Sequence, residues 1–363
     1  MYLIPKVDIT LTLYYSILNL SVIIIINEIH IGGICMKNKI LNLLKSSKDF
    51  VSGQHLSNEL GISRAAIWKY INALKEEGYE IESISRRGYK LNTYADVLTY
   101  NEVSPYLKTN YIGRKWIHFN TIGSTNSEGK SIGDSIDTID GTVLISEEQT
   151  SGRGRLGRQW SSPKSASISM SMVLKPSVDP MQISKITQVA AAAVSLACEE
   201  MNIDAYIKWP NDIIINGKKI CGILTEMSAE LNKVNYVVIG LGFNVNTNPE
   251  DFNDDIKAIA TSLKTEYNKT FNRKELTARI LNNFEVLYDD FKTDTTAKKA
   301  LKICKEKSIL IGKNINVIKN GSSTPAKVLD LNDAGELVVE FENGSTEILI
   351  SGEVSIRGKN SYI

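Results

Sequence analysis

Apolar positions change their period along the chain. After Met36, Ile40, Leu41 and Leu44 recur at helical spacing, and Gln54–Leu60, the turn Gly61-Ile62-Ser63 and Arg64–Glu77 read as helix, tight turn, helix. Ser63 is placed to cap the second helix, Ile67, Ile71 and Leu74 form its apolar stripe, and Gly78 closes it. Tyr79–Ser83 and Gly88–Leu91 then read as two short strands around a tip carrying Arg86 and Arg87. This order predicts a winged helix-turn-helix over residues 36–95.

A polar joint at Asn92–Glu102 leads into a longer mixed region. Strands are expected at Trp116–Asn120, Thr142–Gln149 and Ser167–Leu174, where Ile168, Met170 and Met172 alternate with Ser169 and Ser171. Met181–Met201 is a long Ala-rich helix. Ala205–Trp209, Ile213–Asn216, Lys218–Met227 and Val234–Asn244 follow one another as strands, with Asn216-Gly217 as a hairpin turn; Arg273–Phe291 and Thr295–Lys305 are helical. Strands in direct succession indicate an α+β domain with an antiparallel or mixed sheet, over residues 96–308, rather than βαβ winding. In 309–363, short β-rich runs separated by Lys319-Asn320-Gly321, Asn332-Asp333-Ala334-Gly335 and Glu342-Asn343-Gly344 predict a small five-stranded barrel.

Charge sharpens the first segment. Lys+Arg 42 against Asp+Glu 41 leaves a formal +1, which excludes a disordered polyelectrolyte and a generically basic nucleic-acid binder. Residues 36–92 nevertheless carry ten basic and six acidic side chains. Ser63, Arg64, Lys69 and Asn72 on the second helix, with Arg86 and Arg87 on the wing, sit where DNA would lie; the alternative is a helix-turn-helix used only for packing. Trp68 shares that helix face, where a tryptophan more often packs under the wing than reads a base. Cys35, Cys198, Cys221 and Cys304 are scattered and there are three histidines, so neither a disulfide framework nor a protein-built metal site is expected, and the chain reads as cytoplasmic.

Residues 1–35 break the pattern, with ten isoleucines, no arginine and an apolar run from Leu11 to Ile26 interrupted by Thr12, Ser16, Asn19 and Ser21. The run is shorter than the roughly 20 residues a membrane span needs. A lone Lys6 and no A-x-A before Met36 speak against a signal peptide. Gly32-Gly33 imply GGN-GGN codons at the spacing of a purine-rich ribosome-binding sequence ahead of Met36. The expectation is therefore that translation starts at Met36 and that 1–35 is leader outside the fold; a membrane anchor is the alternative.

The chemistry lies in the central region. Gly152-Arg153-Gly154-Arg155-Leu156-Gly157 fits G-x-G-x-x-G, yet Arg158–Pro163 and a strand follow where a dinucleotide site needs a helix N-terminus. What remains is a mobile glycine loop with Arg153, Arg155 and Arg158, suited to phosphate or carboxylate, or simply a solvated basic loop. In Lys208-Trp209-Pro210-Asn211-Asp212 a lysine at a strand end is placed to neutralise two anionic groups brought together. Ser124-Thr125-Asn126 offers polar partners to a small ring or only a helix cap. Gly240-Leu241-Gly242 allows close backbone approach to a ligand or marks a bulge.

In order and spacing, Gly123–Asn126, Glu148-Gln149 running into Gly152–Trp160, Lys208–Asp212, Lys219–Leu224 and Gly240–Asn246 resemble the family of bifunctional biotin protein ligases and biotin operon repressors, over about residues 36–363. The resemblance implies a biotin/lipoate-ligase-type central domain and an SH3-like C-terminal barrel. It implies that biotin and ATP, accompanied by Mg²⁺, give biotinyl-5′-AMP, from which a lysine of the biotin carboxyl carrier protein takes the acyl group. On that basis Ser124, Thr125, Asn126, Gln149, Arg153, Gly154, Arg155 and Lys208 contact biotin. Arg153, Arg158, Trp160, Lys208, Gly240, Gly242 and Asn244 hold ATP or the adenylate, with Trp160 stacking on adenine. Lys208 and Arg155 are the catalytic pair, Lys208 at the reacting oxygens and Arg155 retaining the adenylate; Asp212 is structural. A homodimer formed on the adenylate would bind operator DNA. The alternatives are a lipoate-protein ligase and a transcription factor whose ligase-like domain only senses a small molecule.

Overall fold

The computed structural model describes residues 36–93, 96–319, 321–350, 355–358 and 362; the expectations for 1–35 lie outside these. Two compact units divide at Ala95/Asp96.

In the first unit, α1 (36–46) precedes α2 (Gly53–Leu60), α3 (Arg64–Glu76), β1 (Glu80–Ile84) and β2 (Gly88–Thr93). Serine hydroxyls start the two central helices: Ser52 accepts from the His55 N–H and Ser63 from the Ala66 N–H, each satisfying an amide that has no partner within its helix. Gly61 between them turns at φ 66°, a conformation open to glycine at little cost. Ile40, Leu41, Leu44, Leu56, Ile67, Ile71 and Leu74 form the buried core. The wing is tied to this core by a two-way backbone pairing of Val51 with Tyr89. That approach requires glycine next door, because a Cβ on Gly88 would stand 2.1 Å from the Val51 carbonyl oxygen.

The second unit begins with α4 (Tyr100–Val103), β3 (Trp116–Ile122), α5 (Thr125–Gly133), β4 (Thr142–Arg153), β5 (Gln159–Ser162), β6 (Ser167–Leu174) and α6 (Ser184–Glu200). It continues with β7 (Tyr206–Lys208), β8 (Asp212–Ile215), β9 (Lys218–Glu230), β10 (Lys233–Asn244), α7 (Leu263–Tyr267), α8 (Arg273–Asp294) and α9 (Lys298–Glu306). The sheet runs β3-β4-β6-β10-β9-β8-β7 with β5 hanging on β4; β3 and β4 are parallel and the other pairs antiparallel, so the sheet is mixed. The period-two pattern of β6 explains how a site can sit on a central strand. Ile168, Met170, Met172 and Leu174 join the core shared with α6 and α8, while Ser169 and Ser171 point to the opposite face. On that face Val173 packs with Leu144, Tyr236 and Val238 against Ile132 of α5.

A buried ionic knot braces the start of this unit. Arg273, fully buried at the head of α8, donates to Asp96 at 2.9 Å, to Glu147 at 3.0 Å and to the Ser167 carbonyl at 2.7 Å. Glu147 also meets His118 and the Leu98 N–H. Burial alone would raise the Glu147 pKa, but His118 and Arg273 hold it below the usual carboxylate range.

At the C-terminus β11 (Asn314–Lys319), β12 (Ser322–Leu331), β13 (Leu337–Phe341), β14 (Thr346–Leu349) and β15 (Ser355–Arg357) form one antiparallel sheet in the order β14-β13-β12-β11-β15. Five strands were expected, but as a barrel; among the described residues no pair joins β14 to β15, and the sheet is open. No helix among the described residues is long and apolar enough to cross a membrane.

Candidate active site and nucleic-acid surface

Every ligase-site residue named from the sequence lines one pocket, on the face of the sheet that carries α5. Its floor is a polar corner of two side-chain amides, Gln149 and Asn126. Gln149 Oε1 accepts from the Thr125 N–H at 2.8 Å, a group that can only donate, so the Gln149 amide nitrogen is left as a donor. Asn126 faces the other way: its Nδ2 donates to Glu226 at 2.9 Å and to the Leu224 carbonyl at 3.4 Å, and its Oδ1 lies 2.6 Å from Ser171 Oγ. Ser124 caps α5 by accepting from the Ser127 N–H. The corner thus offers one amide donor and one amide acceptor, a match for a small ring bearing both C=O and N–H.

Gly240 and Gly242 of β10 line the pocket and are crowded by two side chains. A Cβ on Gly240 would fall 2.0 Å from Asn126 Oδ1, and one on Gly242 would fall 2.3 Å from the Trp160 ring. They make room for those two side chains. Asn244 lines the pocket while pinning the Thr261 carbonyl through Nδ2.

The arginine segment, expected to be a mobile loop, is a hairpin. Gly152 pairs with Trp160, Arg153 with Gln159, and the Gly154 N–H donates to the Arg158 carbonyl. The turn Arg155–Gly157 holds Leu156 at φ 56°, and β5 follows, so no helix N-terminus is available for a dinucleotide. Arg155 donates to Asn211 Oδ1 at 2.9 Å, which joins the hairpin to the Lys208–Asp212 turn.

Lys208 is 2 % exposed, and the C-terminal Tyr362 supplies its partners: the backbone carbonyl 2.7 Å from Nζ and the ring centroid 3.4 Å away. Burial, with Arg357, Lys219 and Arg158 nearby, pulls its pKa down to about 7 against the opposing pull of Asp212. Burial would raise the Asp212 pKa, but Lys219, 2.6 Å away, holds it below the usual range; the Tyr362 hydroxyl also donates to Asp212. Among the described residues Asp212 is the one carboxylate lining the pocket, and no cluster of three or more His, Cys, Asp or Glu able to hold a metal is present among them. These residues do not build a magnesium cage, and a metal would have to arrive on the phosphates of the nucleotide.

Sequence reasoning missed Lys219, Arg357 and Tyr362 as pocket residues. Lys219 stood inside a quoted motif; Arg357 and Tyr362 come from the last segment, with no local signal.

The first unit carries its own surface. Arg64, Lys69, Arg86 and Arg87 are exposed, Asn72 is half-buried, and Ser63 is occupied as a cap. Arg87 is steadied by Asp49 at 3.5 Å and by the Phe50 ring at 4.3 Å. Trp68, expected under the wing, is instead 61 % exposed on the same helix as Arg64 and Lys69.

Similarity to known proteins decides the family. Residues 127–244 match the Biotin/lipoate A/B protein ligase family, 37–90 an HTH domain and 310–357 the Biotin protein ligase C terminal domain. The Bacillus subtilis bifunctional ligase/repressor BirA is 38 % identical over 306 residues, 84 % of this chain and 93 % of that one. This chain belongs to that ligase/repressor family. The biotin–[acetyl-CoA-carboxylase] ligase of Mycobacterium tuberculosis is 30 % identical over 64 % of this chain and 85 % of its own. The solved biotin protein ligase from Aquifex aeolicus in complex with biotin and ATP is 27 % identical with a TM-score of 0.58, and covers 68 % of this chain and 100 % of its own.

Proposed function

We propose that this chain ligates biotin to a lysine of a biotin carboxyl carrier protein, that of acetyl-CoA carboxylase, through biotinyl-5′-AMP, and represses transcription through its winged helix in response to the same ligand. One observation carries the ligase reading. The amide pair Asn126 and Gln149, of fixed and opposite sense, shares a pocket with Lys208 and the Arg153–Arg158 hairpin. The corner suits a cyclic urea and the cationic end suits a carboxylate meeting a triphosphate.

In the first step a biotin carboxylate oxygen bonds to the α-phosphorus of ATP and the bond to the β-phosphate oxygen breaks, releasing pyrophosphate. Two anions must approach, so Lys208 between them neutralises charge that would otherwise repel. Its hydrogen-bond partner is the Tyr362 carbonyl, a neutral dipole that leaves the ammonium charge uncompensated. Arg155, braced by Asn211, retains the adenylate, and Trp160 on Gly242 offers adenine an aromatic face. In the second step the acceptor lysine, as free amine, attacks the acyl carbon; AMP leaves and the amide sheds a proton. Magnesium on the phosphates would supply further charge neutralisation at the leaving group.

The remaining assignments belong to the same reading. The functional segments are 36–95, 96–308 and 309–363, the last an SH3-like fold. The adenylate-bound chain dimerises, placing two winged helices on two operator half-sites, and it works in the cytoplasm with its carrier protein. Incubating the protein with ATP, a carrier domain and either biotin or lipoate, then weighing the acceptor, tests the function. Mass gain with biotin is expected. Gain with lipoate alone would favour a lipoate ligase, and no gain would favour a sensor.

A further inference from the structure

Beside the polar corner stands an ion pair with no part in the chemistry above. Glu226 Oε1 in β9 lies 2.6 Å from Lys130 Nζ in α5, and its other oxygen accepts from Asn126 Nδ2 at 2.9 Å. A primary amide has nearly the same shape with its oxygen and nitrogen exchanged, so packing does not orient it and its hydrogen-bond partners must. Three groups surround the Asn126 amide. Ser171 Oγ, 2.6 Å from Oδ1, is a hydroxyl that donates or accepts as required and enforces neither sense. The Leu224 carbonyl accepts from Nδ2 only at 3.4 Å, the weak end of the range. Glu226 is an ionised acceptor at close range, and an amide oxygen turned toward it would meet another oxygen bearing negative charge.

We infer that Glu226, clamped by Lys130, is a positioning residue for ring recognition: it holds the Asn126 amide so that its oxygen, lying over Gly240, meets a ring N–H. Nδ2 is then committed to protein acceptors, while Oδ1 keeps a lone pair beside Ser171, whose single hydroxyl proton serves either Oδ1 or Thr125 Oγ1. Gly240 belongs to the same device, since any side chain there would push the amide off its seat. The inference rests on the biotin reading and deepens it, because it assigns recognition of the N–H side of the cyclic urea to one amide whose sense is set from outside the pocket.

The test uses the full chain in biotin-dependent ATP–pyrophosphate exchange. Glu226→Ala is expected to raise the KM for biotin roughly tenfold, the scale of one lost hydrogen bond, with kcat and the KM for ATP within about twofold. Desthiobiotin, which keeps the urea ring, should lose by the same factor. In an Asn126→Ala background, removing Glu226 should change the biotin KM no further, because residues acting through one another are not additive. Should Glu226→Ala lose its unfolding transition, Glu226→Gln supplies the comparison, since its amide no longer carries the charge that rejects the Asn126 oxygen. An unchanged biotin KM, additive losses in the double variant, or an ATP KM that rises in step overturns the inference. A parent chain that activates lipoate and not biotin overturns the functional reading first, visibly and without any variant.

Discussion

Replacing Lys208 by methionine keeps the apolar stem and removes the charge, which separates the two consequences of burying that lysine. The ammonium sits 2 % exposed against the Tyr362 carbonyl and ring, and its pKa lies at about 7 rather than 10.5. At about 1.4 kcal/mol per pH unit, that gap sets the cost of the buried charge at up to about 5 kcal/mol, and losing the carbonyl hydrogen bond takes back about 1 kcal/mol. Because the folded pKa is depressed, the cost is present in full below about pH 7 and fades as pH rises toward 10.5, where the unfolded chain also gives up its proton. Lys208→Met is therefore expected to be more stable than its parent near pH 6.5, by roughly 2–4 kcal/mol, with the gain vanishing toward the unfolded-state pKa. Urea unfolding of both proteins across that pH range measures it. The same substitution should cost about 10²- to 10³-fold in biotin-dependent ATP–pyrophosphate exchange, the scale of one lost charge-stabilising donor. Parental exchange would refute the role at the reacting oxygens. A variant less stable than its parent at pH 6.5 would refute the electrostatic reasoning.

Three further outcomes follow from the geometry. Gly242→Ala sets a methyl 2.3 Å from the Trp160 ring and should raise the KM for ATP several-fold while biotin affinity changes little; equal effects on both ligands would deny Trp160 its place beside the nucleotide. Arg155→Gly removes the contact to Asn211 and should let biotinyl-AMP escape, seen as labelling of bystander lysines; an unchanged dissociation rate argues against retention. Arg86→Ala with Arg87→Ala should weaken operator binding and flatten its dependence on salt by about two phosphate contacts while ligation persists. Loss of both activities together would make the wing a structural part.

The ligase pocket shows where reading the chain succeeds and fails. Lys208, Arg155 and Gln149 were legible because strand ends and turns leave chemical residues in short, recognisable strings. Gly240 and Gly242 stand out in the sequence for close backbone approach, and the fold adds a requirement of its own: they accommodate Asn126 and Trp160. Trp68 was placed under the wing, yet the core of that unit closes on Ile67, Ile71 and Leu74 without it.

The sequence by itself determined most of the helices and strands, the Ser63 cap, the succession of a winged helix, a mixed-sheet domain and a β-rich end, and the short strings of residues that line the pocket. Those follow from periodicity and local hydrogen bonding, which act within a few neighbours in the chain. Only the tertiary structure decided the sense of the Asn126 amide, set by Glu226 a hundred residues on, and the company of Lys208, whose partner Tyr362 lies near the far end of the chain. Partners that distant leave no local mark, since their meeting depends on how remote segments pack in three dimensions. Strand order sets β9 beside β10, and the packing of the last segment brings Arg357 and Tyr362 to the same pocket, where burial lowers the Lys208 pKa to about 7.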